Sequence, residues 1–234
     1  MDPELLAQLP DALPAPPVTG YAGWWDASDL ASISQAGIGA ATWRDKTAAA
    51  RHFTQATDAN RPYTGSRSQA GRNVLWTLGK VTAMQGSVPL TSQPFWVFLV
   101  AANLAADAVQ RTAFSGYYSA GVEWGRVYRP TSNAIAIYAG GGVTSGAAWE
   151  AGRPRVVSAL FNGAGSQLNV DGRYSSSGTV GGNGNSTSQG VFGLGLSESW
   201  YGWLGELIVY DNRALNAAEV QRVESYLRTK WGLT

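Results

Sequence analysis

Apolar and polar positions along the chain fall into stretches of different rhythm, and each rhythm predicts its own element. Residues 95–101 are apolar without a break, the pattern of a strand covered on both faces. Residues 133–138 alternate large and small side chains and end in a glycine turn, Gly140 to Gly142. Residues 155–161 and 167–170 flank Asn162-Gly163, a hairpin signal, and Asp171-Gly172 marks the next turn. Residues 175–190 are Ser, Gly, Asn and Thr with little else and predict a loop; Phe192 and Leu194 then resume the alternation. Residues 203–210 predict a last long strand, apolar on both faces.

After that strand the period changes to 3.6. Asn216 is placed to cap a helix, with Glu219 completing a capping box. Val220, Val223, Leu227 and Trp231 form one apolar stripe, and Glu224 with Arg228 forms an i,i+4 pair on another face. Gly232 ends the helix. Many strands closed by one helix predict an all-β fold, a two-sheet antiparallel sandwich with a C-terminal α-helix. At the other end, Leu5, Leu6, Leu9 and Leu13 recur at near-helical spacing before the stiff segment Pro14-Ala15-Pro16-Pro17. Residues 1–19 are therefore expected to form an N-terminal anchoring arm, and residues 20–234 the domain.

Composition narrows the picture. A chain of 234 residues with 44% apolar and 14% charged side chains can bury one large core. Its 29 Gly and 10 Trp suit a β protein with many turns and flat rings. Net charge is +1, and the nearest thing to a basic patch is Arg61, Arg67 and Arg72, so nucleic acid is not expected as a partner. No run of about 18 apolar residues exists to cross a membrane. The acidic start, Met1-Asp2-Pro3-Glu4, does not read as a signal peptide. Without cysteine the redox compartment stays open.

The two ends carry specific motifs. Near the start stand Trp24 to Asp29 (Trp-Trp-Asp-Ala-Ser-Asp), Trp43-Arg44-Asp45-Lys46, and Ala56 to Tyr63. Near the end stand Gly202 to Leu215, with a Glu, an apolar run, a Tyr and Arg213-Ala214-Leu215, and then Tyr226 to Gly232. Together they resemble the laminin G-like members of the concanavalin A-like lectin/glucanase superfamily, over roughly a third of the chain. The family's Phe-Asp-Gly motif is replaced here by Trp76-Thr77-Leu78-Gly79-Lys80. The resemblance implies a jelly roll, found in bacterial surface proteins, secreted glycan-binding proteins and phage tail or capsid appendages.

The chemistry-bearing residues are sparse. Glycoside hydrolysis needs two carboxyl groups about 5–9 Å apart, but Glu123, Glu150, Glu198 and Glu206 are isolated in sequence, with no paired acids on one strand face. Glu206 reads as a buried hydrogen-bonded carboxylate, with an Arg as its partner. His52 is the only histidine and reads as packing or capping a turn; zinc has no ligand set. Asp26, Asp29 and Asp45 could converge on calcium, but turn and cap roles suit them better, so no cofactor is expected. Gly141 to Gly146 lacks the Lys-Ser/Thr of a phosphate loop and reads as a turn. Asn185-Ser186-Thr187 is formally a glycosylation sequon.

Aromatics remain. Trp25, Trp43, Trp96, Trp203 and Trp231 sit in apolar patterns and are expected in the core. Tyr117, Tyr118, Trp124, Tyr128, Trp149, Trp200 and Tyr201 sit near turns or polar residues and are the candidates for stacking on sugar rings. Adjacent residues on a strand face opposite ways, so Tyr117–Tyr118 and Trp200–Tyr201 should each expose one ring. The expectation is a non-enzymatic virion-surface protein of a tailed bacteriophage, a capsid decoration or minor tail protein. The arm (Leu5, Leu6, Leu9, Leu13) would hold it, oligomeric, on other virion proteins, with host-surface glycan as a further partner. A secreted bacterial carbohydrate-binding module is the alternative, and a divergent glycosidase the third.

Overall fold

The computed structural model describes residues 15–78, 81–88, 90, 93–116, 125–182, 188–194 and 198–233. Its strands along the chain are β1 (Gly23–Asp26), β2 (Ile33–Ala36), β3 (Gly39–Trp43), β4 (Phe53–Thr54), β5 (Ser68–Gln69), β6 (Arg72–Asn73), β7 (Leu75–Trp76), β8 (Met84–Gly86) and β9 (Phe95–Asn103). Then follow β10 (Arg111–Ser115), β11 (Arg126–Arg129), β12 (Ala134–Tyr138), β13 (Gly142–Ala148), β14 (Pro154–Phe161), β15 (Ser166–Val170), β16 (Tyr174–Gly178), β17 (Gln189–Val191) and β18 (Gly202–Asp211), and the helix α1 (Ala217–Trp231). Two large antiparallel sheets face each other. One, the frame sheet, runs β1-β18-β9-β14-β15-β16 with β7 also on β18; the other, the open sheet, runs β13-β12-β11-β10-β17-β8-β4-β3-β2. The expected sandwich with a C-terminal helix is what the chain forms.

The frame sheet is covered twice. Val97, Leu99 and Ala101 of β9 and Leu207 and Val209 of β18 face the core between the sheets, with Trp25, Trp43 and Phe53. The alternate residues Trp96, Phe98, Val100, Ile208 and Tyr210 pack outward under Val220, Val223, Leu227 and Trp231 of α1. Double cover is why these strands read as unbroken apolar runs. The helix is bounded as its sequence predicts. Asn216 accepts from the Glu219 N–H, the Glu219 carboxylate accepts from the Asn216 N–H, and Gly232 takes φ 63° at the C-terminal end.

The terminal motifs meet in one buried charge centre. Asp26 of β1 lies opposite Glu206 of β18, and the Lys230 ammonium from α1 lies 2.6 Å from the first carboxylate and 2.8 Å from the second. The Trp24 and Trp231 indoles and the Tyr226 hydroxyl donate to Glu206 at 2.7, 2.9 and 3.0 Å. Burial pushes the Glu206 carboxyl above its usual range. Its expected Arg partner is thus corrected to a lysine, supplied by the helix that the sequence motif ends on.

Several local expectations are corrected. Residues 142–146, read as a turn, begin strand β13, where exposed and buried residues alternate and Val143, Ser145 and Ala147 point inward. The predicted loop over 175–190 contains most of β16 at one end and the start of β17 at the other. Small polar residues hide the period there, and pairing to neighbours decides the strand. Glu224 does not pair across solvent with Arg228. Its carboxylate accepts from Ser158 Oγ at 2.7 Å and Asn169 Nδ2 at 3.4 Å, while Arg228 donates to the Asp171 carbonyl. Pro16 and Val18 are already buried, and the Val18 carbonyl accepts from Tyr210 Oη at 2.7 Å, so packing onto the domain starts inside the segment read as arm. Leu5, Leu6, Leu9 and Leu13 lie outside the described residues.

Candidate functional site

The outer face of the open sheet has no helix over it among the described residues, and polar and aromatic side chains gather on its β10–β13 end. Val127, Ile135, Ile137 and Val143 turn into the core. By alternation Arg126, Tyr128, Ala136, Tyr138 and Thr144 point outward. The register puts Ser115, Arg126, Tyr138 and Gly142 in one cross-strand row, and Thr112, Tyr128, Ala136 and Thr144 in the next.

Arg126 is the centre of this face. Its guanidinium carbon lies 4.1 Å from the Tyr128 ring centroid and 5.2 Å from that of Tyr138, within cation–π range of both. Its Nη1 donates to Glu198 Oε2 at 2.8 Å. Glu198 also accepts from Thr112 Oγ1 at 2.8 Å and Gln110 Nε2 at 2.6 Å. The Glu198 backbone sits at φ 47°, a left-handed conformation uncommon for a residue with a side chain. Two half-buried tyrosines are thereby held around a fixed guanidinium, with a carboxylate oriented beside it. Such a cluster offers flat apolar area on two part-exposed rings and a carboxylate acceptor at a fixed position.

At one margin Asp107 clamps the sheet end. Its carboxylate accepts from Arg111 Nη2 at 2.5 Å and Arg129 Nη1 at 2.9 Å, and the Arg111 guanidinium holds its pKa down at about 2. Arg111 also lies over the half-buried Tyr201 ring at 5.3 Å.

Of the aromatics read from the sequence, Tyr128 and Tyr201 keep accessible surface on this side. Trp149 and Trp200 are corrected: they are 2% and 0% exposed and meet edge to face, 4.9 Å between centroids, inside the sandwich core. A ring beside a turn folded back into the core in each case. Of the adjacent pair, Trp200 is the buried member and Tyr201 the accessible one. Tyr117, Tyr118, Trp124 and Glu123 lie outside the described residues, as do residues 185–187. Tyr138, Arg126 and Glu198 were missed, although Tyr138 closes the very alternation that predicted β12.

The other candidates resolve into structural roles. Asp26 Oδ1 accepts from Ser28 N–H and Oγ; Asp29 caps the short turn at Ala31 and takes Lys46 at 2.7 Å; Asp45 accepts from Trp24, Thr47 and Arg51. His52 Nδ1 accepts from the Asp45 N–H at 3.1 Å, capping a turn. Asp26 and Glu206, which face each other across β1 and β18, are buried and bridged by Lys230, which leaves no room for a substrate between them.

No family model and no curated protein matches the chain. Solved structures do. Trypanosoma rangeli sialidase in complex with the inhibitor DANA superposes with a TM-score of 0.65 at 16% identity, over 90% of this chain and 33% of that one. Domain 4 of AbnA, an extracellular arabinanase from Geobacillus stearothermophilus, in complex with arabinotriose, gives 0.61 at 12% identity, covering 87% of this chain and 98% of that one. The ligand-binding domain of botulinum neurotoxin serotype D, in complex with N-acetylneuraminic acid, gives 0.60 at 8%, over 88% and 50%. The likeness is one of fold. The chain spans about a third of the length of the sialidase.

Proposed function

We propose that the chain is a non-enzymatic, laminin G-like glycan-binding domain, and that a sugar ring docks on the outer face of the open sheet beside Arg126. The observation that carries this is the buried guanidinium that fixes Tyr128, Tyr138 and Glu198 in one cluster on a face with no helix over it among the described residues. The part-exposed rings of Tyr128 and Tyr138 offer stacking area, and the part-exposed Glu198 carboxylate, oriented by the buried Arg126, offers acceptors for hydroxyls. The fold is also that of an arabinanase domain solved with arabinotriose and of a toxin domain solved with N-acetylneuraminic acid. A glycan array followed by calorimetry tests it. Tyr138→Ala is expected to weaken binding of the best array ligand about tenfold, the loss of one stacking contact. A domain that retains no glycan, or a variant that binds like the parent, overturns the reading.

For its setting we infer a virion-surface appendage of a tailed phage, held through residues 1–19. The support is the leucine-bearing, proline-stiffened arm and the seating of its last residues, where Val18 and Thr19 carbonyls accept from Tyr210 and Arg213. Those contacts hold residues 18 and 19 on the frame-sheet side. Cross-linking or cryo-EM of the native particle is expected to place residues 1–19 on a capsid or tail protein. A chain found in no particle would instead favour the secreted carbohydrate-binding module.

A further inference from the structure

On the opposite side of the sandwich, α1 leaves the frame sheet's edge strands partly uncovered. A cavity of about 360 Å³ opens there between the helix and β9, β14, β15 and β16. Its floor is apolar, built by Trp96, Leu160, Leu215 and Val220. Its walls are polar: Gln167 and Asn169 from β15, Ser175 from β16, Arg173 from the turn between them, and Gln221 and Glu224 from the helix. The volume lies within the range usual for small-molecule sites.

The polar walls are uncommitted. The side chains of Gln167, Arg173, Ser175 and Gln221 make no hydrogen bond or ion pair among the described residues. Glu224 is the more telling group. It is 4% exposed, and its Oε1 is held by Ser158 and Asn169. Its Oε2 has no hydrogen-bond partner among the described residues. That oxygen is open to the cavity, where a ligand hydroxyl can donate to it. A floor of ring and methyl groups under a wall of amides, one hydroxyl and one carboxyl suits a compact ligand with one apolar face and several hydroxyls.

We propose that this cavity is a second saccharide site, taking a single sugar ring, and that the domain presents two glycan sites on opposite faces. A ring hydroxyl donates to Glu224 Oε2, and the carboxamides of Gln167 and Gln221 and the Ser175 hydroxyl bond the remaining hydroxyls. Arg173 at the rim accommodates a carboxylated sugar as well as a neutral one. The inference shares only its ligand class with the function proposed above and stands on separate residues. Burial pushes the Glu224 carboxyl above its ordinary range.

The test is an NMR titration of the ¹⁵N-labelled full chain. The Trp96 indole N–H, which has no partner, serves as the reporter at the cavity floor. Glucose, galactose, mannose, arabinose, xylose, N-acetylglucosamine and N-acetylneuraminic acid are added in turn, with glycerol as control. At least one sugar is expected to give a saturable shift with Kd below about 10 mM. Glu224→Gln and Ser175→Trp, checked for folding by circular dichroism, are expected to weaken it at least fivefold, while Tyr138→Ala leaves it unchanged. Saturation by none of the sugars, an equal response to glycerol, or unaltered affinity in both cavity variants overturns the proposal. Loss of this response with array binding intact would leave the open-sheet site standing, and the reverse would separate the two in the other direction.

Discussion

The two sheets share one core and differ in what covers their other side. The central strands of the frame sheet are covered by α1, Pro16 and Val18, so all nine residues of β9 are buried and the charges near it are locked in a triad. The open sheet has no helix over its outer face among the described residues, so β13 alternates exposed and buried, and the Asp107 and Glu198 carboxylates reach solvent while Arg126 and Arg129 stay buried beneath them. The contrast teaches that an ion pair in this molecule acts according to its cover. Lys230 with Asp26 and Glu206 ties the ends of the chain together, whereas Arg126 with Glu198 orients a surface.

Lys230→Met strands two buried carboxylates without their cation. Urea unfolding is expected to show a loss of about 3–5 kcal/mol, the usual penalty for half of a buried pair. Gly205→Ala is expected to come next. A Cβ there would stand 2.8 Å from the Trp231 ring, so the helix must shift, at about 1–3 kcal/mol on the same unfolding curve. Tyr138→Ala on the open sheet should alter stability by only about 0.5 kcal/mol while weakening glycan binding. A large stability loss there would mean that the face is structural.

The smallest effect belongs to Asp107. Its pKa is lowered in the folded state to about 2 from an ordinary value of 3.8. The folded state therefore binds its proton less readily than the unfolded one. The contribution is fully present above pH 3.8 and is lost as pH falls toward about 2. Because the group is largely exposed, Asp107→Asn is expected to cost under about 1 kcal/mol at pH 7 and almost nothing near pH 2. Carboxyl NMR titration with a midpoint near 4 would remove the Arg111 clamp from the account.

Legibility in the sequence followed the same divide. The helix from Ala217 to Trp231, its caps and its stripe were readable because helical contacts are local, and the sealed strands were readable because double burial leaves an unbroken apolar run. β13 and β16 were not, since glycines, serines and threonines carry little period. The candidate site was half legible. Tyr128 is a candidate that keeps accessible surface, and the Trp200–Tyr201 pair exposes one ring as alternation requires, but Trp149 is buried, because nearness to a turn does not say which way a ring folds.

By itself, then, the amino-acid order determined the all-β class, the closing helix and the matched terminal motifs, all of which rest on neighbours within a few residues or on composition. Only the tertiary structure decided that Asp26, Glu206 and Lys230 form one buried centre, that Arg126 lies between two tyrosines, and that Glu224 turns from solvent into a cavity. Those pairings join residues far apart along the chain, and strand register and helix docking set their distances.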